Sequence, residues 1–311
     1  MEAKAQRRRN RMPGRVKENI ELTLMSLPAV ILFIVFAYLP MFGVILAFKK
    51  FNPNLGILGS EWVGLKNFEF FFTSNDAGRV LTNTVAYSLT FLIIDVVIAV
   101  GLAILFYNLR SKIGLKVYNT IVILPRFMSM VMIAFVIYTL FSPTFGLINN
   151  ILTALGFEAV QWYSIPGYWP AILISTHIWQ TMGMNSIVYY AALVSLDSEI
   201  LESAELDGAN SRQKAWYIMV PHLTSIIVIM TILGIGGIFG GDFGLFFQVP
   251  KNIGLLYPTT DIISTYTYRA MIGGSMDKST AIGLFQSIMG LILVVGTNLI
   301  VRKISPENSL F

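Results

Sequence analysis

Six long apolar stretches alternate with shorter polar segments along the chain: Leu22 to Phe48, Thr84 to Phe106, Val117 to Phe141, Tyr168 to Ser186, Leu223 to Leu245 and Thr280 to Val301. A helix of about 20 apolar residues crosses the ~30 Å hydrocarbon layer of a bilayer. Each stretch therefore predicts one spanning helix, and together they predict an all-α membrane protein with six transmembrane helices. The first stretch follows a basic tail, residues 1–19, that holds Arg7, Arg8, Arg9 and Arg11. That resembles a secretory signal, but the apolar run is too long for one and no A-x-A cleavage site follows it, so it predicts a retained anchor. Residues 20–311 then form a single transmembrane domain.

The stretches are not uniformly apolar. Pro28 and Pro40 interrupt the first, Pro125 the third, and Gly234, Gly236, Gly237, Gly240 and Gly241 crowd the fifth. In lipid, broken helices survive only where the freed backbone groups face protein or a watery cavity. Polar side chains within the spans, among them Asp95, Arg126, His177, Gln180, Asn185, Asp242, Gln286 and Asn298, are costly in hydrocarbon and predict an inward-facing polar layer. A passive anchor needs none of this; transport does.

Composition narrows the class. Of 311 residues 55% are hydrophobic and 13% charged, with a mean hydropathy of +0.68. Charge at about half the soluble norm cannot coat a water-facing surface, which excludes soluble enzymes, disordered tails and nucleic-acid-binding domains. The chain has no cysteine and two histidines, which excludes a disulfide framework and a Cys-ligated metal site and disfavours a His-rich one. The net charge of +5 reads as topology. Seven Lys and Arg lie in the tail, followed by Arg110, Lys112, Lys116, Arg212, Lys214, Arg302 and Lys303 on the same side. The other side holds Lys49, Lys50, Lys66, Arg79, Lys251, Arg269 and Lys278. This fourteen-to-seven asymmetry predicts that both termini are cytoplasmic.

The loop between the fourth and fifth stretches, residues 196–221, predicts two short helices. Ser198 is placed to cap the first, with Glu199 and Glu202 near its positive end. Gly208 stands where a helix end wants φ > 0. Ser211 is placed to cap the second, whose pattern ends at Pro221. The first helix is expected to expose Ile200, Leu201 and Ala204 among acidic residues. Such a face suits a partner's groove, and equally an ordinary interfacial helix.

The segment Glu202-Ser-Ala-Glu-Leu-Asp-Gly-Ala209, with Pro221 beyond it, resembles the EAA loop of binding-protein-dependent ABC importer permeases. It departs from that pattern in Ser203 for the first alanine and in a slightly longer Gly-to-Pro interval. Trp62-Val-Gly-Leu-Lys-Asn-Phe68, Asn83-Thr84, Leu124-Pro-Arg126 and Gly146-Leu-Ile-Asn149 are similar to elements of sugar-importer permeases. Asp242-Phe-Gly-Leu245 and Thr265-Tyr-Thr-Tyr-Arg269 look like those of permeases for oligosaccharides and polysaccharide fragments. The resemblance implies a type I ABC importer permease fold in a bacterial cell membrane, working by alternating access. It implies a coupling helix in which Leu201, Glu202, Ala204, Asp207, Gly208, Ala209 and Pro221 meet an ATPase subunit. The implied partners are a second homologous permease, an ATPase dimer that binds ATP and Mg, an extracytoplasmic solute-binding protein, an oligosaccharide and membrane lipid. The binding protein is expected at the outer segments Phe145 to Tyr168 and Gln248 to Lys278. The chain itself lacks a G-x-x-x-x-G-K-[ST] loop and so is not expected to hold nucleotide or to be an enzyme.

Sugars are held by aromatic faces and by amides or charges at their hydroxyls. The candidates for the substrate pathway are Arg126, His177, Trp179, Gln180 and Asn185, with no catalytic or metal residues. His177, Gln180 and Met184 share a helix face. Each has a second reading. Gln180 and Asn185 suit interhelical hydrogen bonds, Arg126 suits an ion pair with Asp95, and His177 suits a satisfied interior position. An ion-coupled secondary carrier is the rival class, but it usually shows internal repeats, and none is evident between the halves. An ABC permease for a non-sugar solute is the other alternative.

Overall fold

The structure, a computed structural model, describes residues 12–309; the first eleven residues of the basic tail lie outside the described residues. Helix α1 (Met12–Phe33) runs through Pro28 without a break and continues as a π turn, Ile34–Tyr38, then a short helical piece and a 3-10 segment, Phe42–Phe48. Proline cannot donate to the helix ladder and its ring crowds the carbonyl four residues back. Here the π turn before Pro40 absorbs the conflict, because Leu39 N–H reaches back five residues to the Ile34 carbonyl. The span ends in a two-residue hairpin, β1 (Lys49–Lys50) against β2 (Glu61–Trp62), with Lys49 opposite Trp62. A short helix, α2 (Lys66–Phe72), follows.

Helices α3 (Ala77–Tyr107) and α7 (Trp169–Val194) make the most extensive helix pair and form the scaffold of the bundle. Between them in sequence lie α4 (Lys112–Ile123), α5 (Met130–Phe141) and the short α6 (Leu147–Ala154). The expected continuous third span is instead α4 and α5 joined by a 3-10 turn, Leu124–Phe127, and bent by 101°. Pro125 denies the ladder a donor, and Ser129 starts the new helix by accepting from Met132 N–H at 3.3 Å.

After α8 (Ser198–Leu206) the chain forms one continuous rod, Ser211–Gly236, whose last part is α9 (Val220–Gly236). Its helical pattern was expected to stop at Pro221. It does not, because a second π turn, Ala215–Met219, carries Val220 N–H back to the Ala215 carbonyl just before the proline. The fifth span also ends earlier than expected, at Gly236, where the glycine run turns the chain. Asp242 then caps a separate helix, α10 (Phe243–Gln248), by accepting from Leu245 N–H at 3.0 Å. Helices α11 (Ile263–Ile272) and α12 (Met276–Ile304) complete the fold.

Four described helices are long and apolar enough to cross a membrane: Leu22–Phe48, Ala77–Tyr107, Ser211–Gly236 and Met276–Ile304; the bent pair α4–α5 makes a fifth. Helix α7 has 26 residues, but Thr176, His177, Gln180 and Asn185 dilute its apolar character. One core cluster joins α3, α5, α7 and α10 around Phe91, Trp169, Leu173 and Phe246. A second, around Ala103, Leu193 and Leu223, packs the loop end of the bundle. Large apolar side chains on the outside, such as Phe36, Phe127 and Leu291, are exposed, as befits a surface covered by lipid or neighbouring chains.

Candidate functional site

The loop 196–221 is built by its caps. Asp197, not Ser198, starts α8, its carboxylate accepting from Glu199 N–H at 3.0 Å. At the other end Gly208 has φ +84°, as its spacing predicts. Gly208 N–H bonds the Glu205 carbonyl at 3.1 Å and Ala209 N–H the Ala204 carbonyl at 2.9 Å, the paired closure of a Schellman motif. The next helix is capped by Asn210 rather than Ser211: Gln213 N–H donates to Asn210 Oδ1 at 2.9 Å, and Asn210 N–H to Gln213 Oε1 at 2.8 Å. Both acceptors expected from the serines come from the residue just before. Lys214 Nζ lies 3.2 Å from Glu205 Oε2 and ties the two helices together.

These caps fix which face of α8 looks outward. Leu201 was expected to be exposed with Ala204, but both are half-buried, and Leu201 packs against the cluster around Ala103 and Leu193. The outward face carries Ile200, 49% exposed, and Leu206, 90% exposed, beside the exposed Glu202, Asp207 and Gly208. Ala209 is half-buried and Pro221 exposed. Leu206 is the apolar residue that sequence reasoning missed; its place next to the Asp207–Gly208 turn, where the chain leaves the bundle, is the signal for it.

The second grouping is an intramembrane polar layer. Asp95 on α3 receives His177 Nε2 at 3.1–3.2 Å and Thr181 Oγ1 at 2.9 Å, both from α7. A carboxylate accepts, so the His177 proton sits on Nε2, and the ring stacks on Phe91 with centroids 3.8 Å apart. The partner of Asp95 is therefore His177 and not Arg126, which is exposed and makes no ion pair among the described residues. Asp95 and Asn185 line one cavity of about 210 Å³ with Tyr189 and Met230. Trp179 lines another, of about 370 Å³, with Phe141 and Thr176. Gln180 is buried one turn from His177. The structure thus brings His177 to Asp95, places Asn185 beside them, and sets Trp179 and Arg126 apart. The missed member is Thr181, one helical turn after His177.

The motifs outside the loop resolve into clasps. Asn67 donates its amide to the carbonyls of Ala47 at 3.0 Å and Lys49 at 2.9 Å, closing the end of the first span. Asn149 donates to Val160 O at 3.0 Å and accepts from Val160 N–H at 3.1 Å and Trp162 Nε1 at 2.9 Å, fastening the segment after α5. Asp261, fully buried, takes Arg269 at 2.6 Å, Arg79 at 3.3 Å and Thr265 Oγ1 at 2.9 Å, while Asn83 donates to its carbonyl at 3.0 Å. Three charges and several backbone groups thus lock the segment 248–278 to the start of α3.

A broken-helix bundle with a polar layer and a capped loop helix defines the class: a membrane permease. The chain belongs to the binding-protein-dependent transport system inner membrane component family, whose pattern matches residues 96–308. Among its relatives, protein LplB of Bacillus subtilis (strain 168) is 32% identical, over 94% of this chain and 92% of its own. The polygalacturonan/rhamnogalacturonan transport system permease protein YteP of the same organism is 33% identical, over 96% of this chain and 93% of its own. A crystal structure of a bacterial ABC transporter involved in the import of the acidic polysaccharide alginate superposes with a TM-score of 0.85 at 33% identity, covering 95% of this chain and 99% of that one.

Proposed function

We propose that this chain is one of two homologous permease subunits of a bacterial cell-membrane importer that moves sugars, in the form of oligosaccharides or polysaccharide fragments. The observation that carries the reading is likeness over nearly the full chain, in sequence and in fold, to a polygalacturonan/rhamnogalacturonan permease and to an alginate ABC importer. Six spans with both termini in the cytoplasm follow if α7 and the bent pair α4–α5 each cross once, in keeping with the Lys and Arg asymmetry. The loop 196–221 then faces the cytoplasm, where α8 docks to a separate ATPase subunit that binds ATP and Mg. A solute-binding protein delivers the sugar to the clasped outer segments. ATP-driven closure of the ATPase pair moves the two loops together and alternates access to the polar layer.

The test is reconstitution of the purified complex in proteoliposomes with its solute-binding protein and a panel of labelled oligosaccharides, amino acids and ions. The expected result is uptake that requires both ATP and the binding protein. Uptake driven by an ion gradient without ATP would replace this reading with that of a secondary carrier, and uptake confined to amino acids or ions would replace the sugar.

A further inference from the structure

The contact with His177 does not exhaust Asp95. The carboxylate lies near the middle of the 31-residue α3, and Asn185 and Tyr189 stand one turn apart on α7. All three line the cavity of about 210 Å³, which Met230 and Gly234 bound from α9. Gly234 lets α9 come close, since a Cβ there would meet the Leu92 side chain. Tyr189 is 3% exposed, yet its hydroxyl makes no hydrogen bond among the described residues, and neither does the Asn185 side chain. Buried polar groups need hydrogen-bond partners, and these two border the same space as a carboxylate.

The fold does not cancel the charge in that space. No lysine or arginine pairs with Asp95 among the described residues. His177 Nε2 donates to it, but the buried Nδ1 has no hydrogen-bond partner. A second proton on that ring would bring an N–H with no acceptor, so the neutral imidazole is the form these contacts fit. An uncancelled carboxylate at membrane depth is costly and marks a functional position. A proton would meet the charge but would leave the Asn185 and Tyr189 oxygens as they are. A cation meets all three, because carboxylate, amide and phenol oxygens are the donors that hard cations take. One carboxylate matches one positive charge, whereas a divalent ion calls for further anionic oxygens. The volume holds such an ion with several waters, each of which needs about 10–15 Å³.

We infer that Asp95, Asn185 and Tyr189 form a binding site for a monovalent alkali cation, set between the α3–α7 scaffold and the rod that leads to the loop 196–221. The ion braces α9 against the scaffold and takes no part in choosing the cargo. The site therefore stands apart from the transport reading above, and its test reads binding and stability rather than uptake.

The complex is purified in detergent and melted in sodium, potassium or choline chloride at equal ionic strength and fixed pH. Binding of radiolabelled sodium and rubidium is measured by equilibrium dialysis. The expected result is that sodium or potassium raises the melting midpoint over choline by about 2–4 °C and that the matching label binds. Asp95→Asn is expected to abolish both effects. Tyr189→Phe, which removes only the hydroxyl, is expected to need about tenfold more salt for half the shift. Equal midpoints in the three salts with no label bound overturn the inference. So does a shift that survives in D95N, which would place the ion elsewhere. A midpoint that follows pH and ignores salt would assign the site to a proton and overturns it too. Where D95N fails to assemble, an unchanged salt dependence in Y189F overturns it alone.

Discussion

Gly183 illustrates how narrowly a single position is determined. A Cβ there would collide with the Val122 carbonyl, a backbone atom that cannot rotate away. Gly101, in α3, has open space at the same construction. Overpacking costs about 1–3 kcal/mol, whereas alanine in an open helical site gains roughly 0.5–1 kcal/mol over glycine. Gly183→Ala is therefore expected to lower the thermal midpoint of the detergent-purified protein, and Gly101→Ala to leave it unchanged or raise it. If the two variants melt alike, α4 does not bear on α7 as described.

The Asp95–His177 contact makes a second prediction at this scale. Removing one partner strands a polar group in the bundle, at a cost of about 1–3 kcal/mol, whereas removing both strands less. The double variant Asp95→Ala/His177→Ala is expected to be more stable than the sum of its singles by about 1 kcal/mol. Denaturation of all four proteins in one detergent measures that coupling, and additive losses would show that the two side chains do not interact.

Among the elements, α8 separates two leucines of different duty. Leu201 packs inward and Leu206 stands in the open. Leu201→Ser is expected to destabilise the chain itself, by about 1–2 kcal/mol for a half-buried leucine. Leu206→Ser is expected to leave the melting point alone and to reduce ATPase subunits recovered on affinity purification. Recovery of ATPase at the wild-type ratio would remove Leu206 from the docking face. Gly208→Val forces a β-branched residue to φ +84°, a strain of roughly 1–2 kcal/mol. That strain is small beside a whole bundle and large for a nine-residue helix, so substrate-stimulated ATP hydrolysis is expected to fall while membrane insertion stays normal. An undiminished rate would mean that the turn does not aim the helix.

Across the whole molecule, the mostly helical membrane class and four or five of the six expected span positions are legible in the chain, because apolar length is a one-dimensional signal. The turn at Gly208 is legible for a similar reason, since a glycine after an amphipathic run has one common use. What could not be read depends on competition between neighbours. Asp197 and Asn210 take the caps from Ser198 and Ser211 because carboxylate and amide groups one residue earlier reach the free N–H groups. Prolines 40 and 221 look like stops, yet each is absorbed by a π turn that only the three-dimensional ladder reveals. The pairing of Asp95 with His177 instead of Arg126 needs the relative rotation of α3 and α7, which no spacing encodes.

The absorbed proline at 221 has a mechanical consequence. Had the helix stopped there, the loop would join the bundle through a flexible joint, and motion at one end would dissipate before reaching the other. Instead Ser211–Gly236 is a single beam of 26 residues, about 39 Å long at 1.5 Å per residue. The Lys214–Glu205 pair, half open to solvent, joins α8 to its near end, and the helix ends at Gly236, where the glycine run turns the chain. On a lever of that length a tilt of about 5° sweeps the near end through roughly 3 Å. If the rod turns about its glycine end, a displacement of about 3 Å at α8 becomes a tilt of about 5° beside the helix that Asp242 begins.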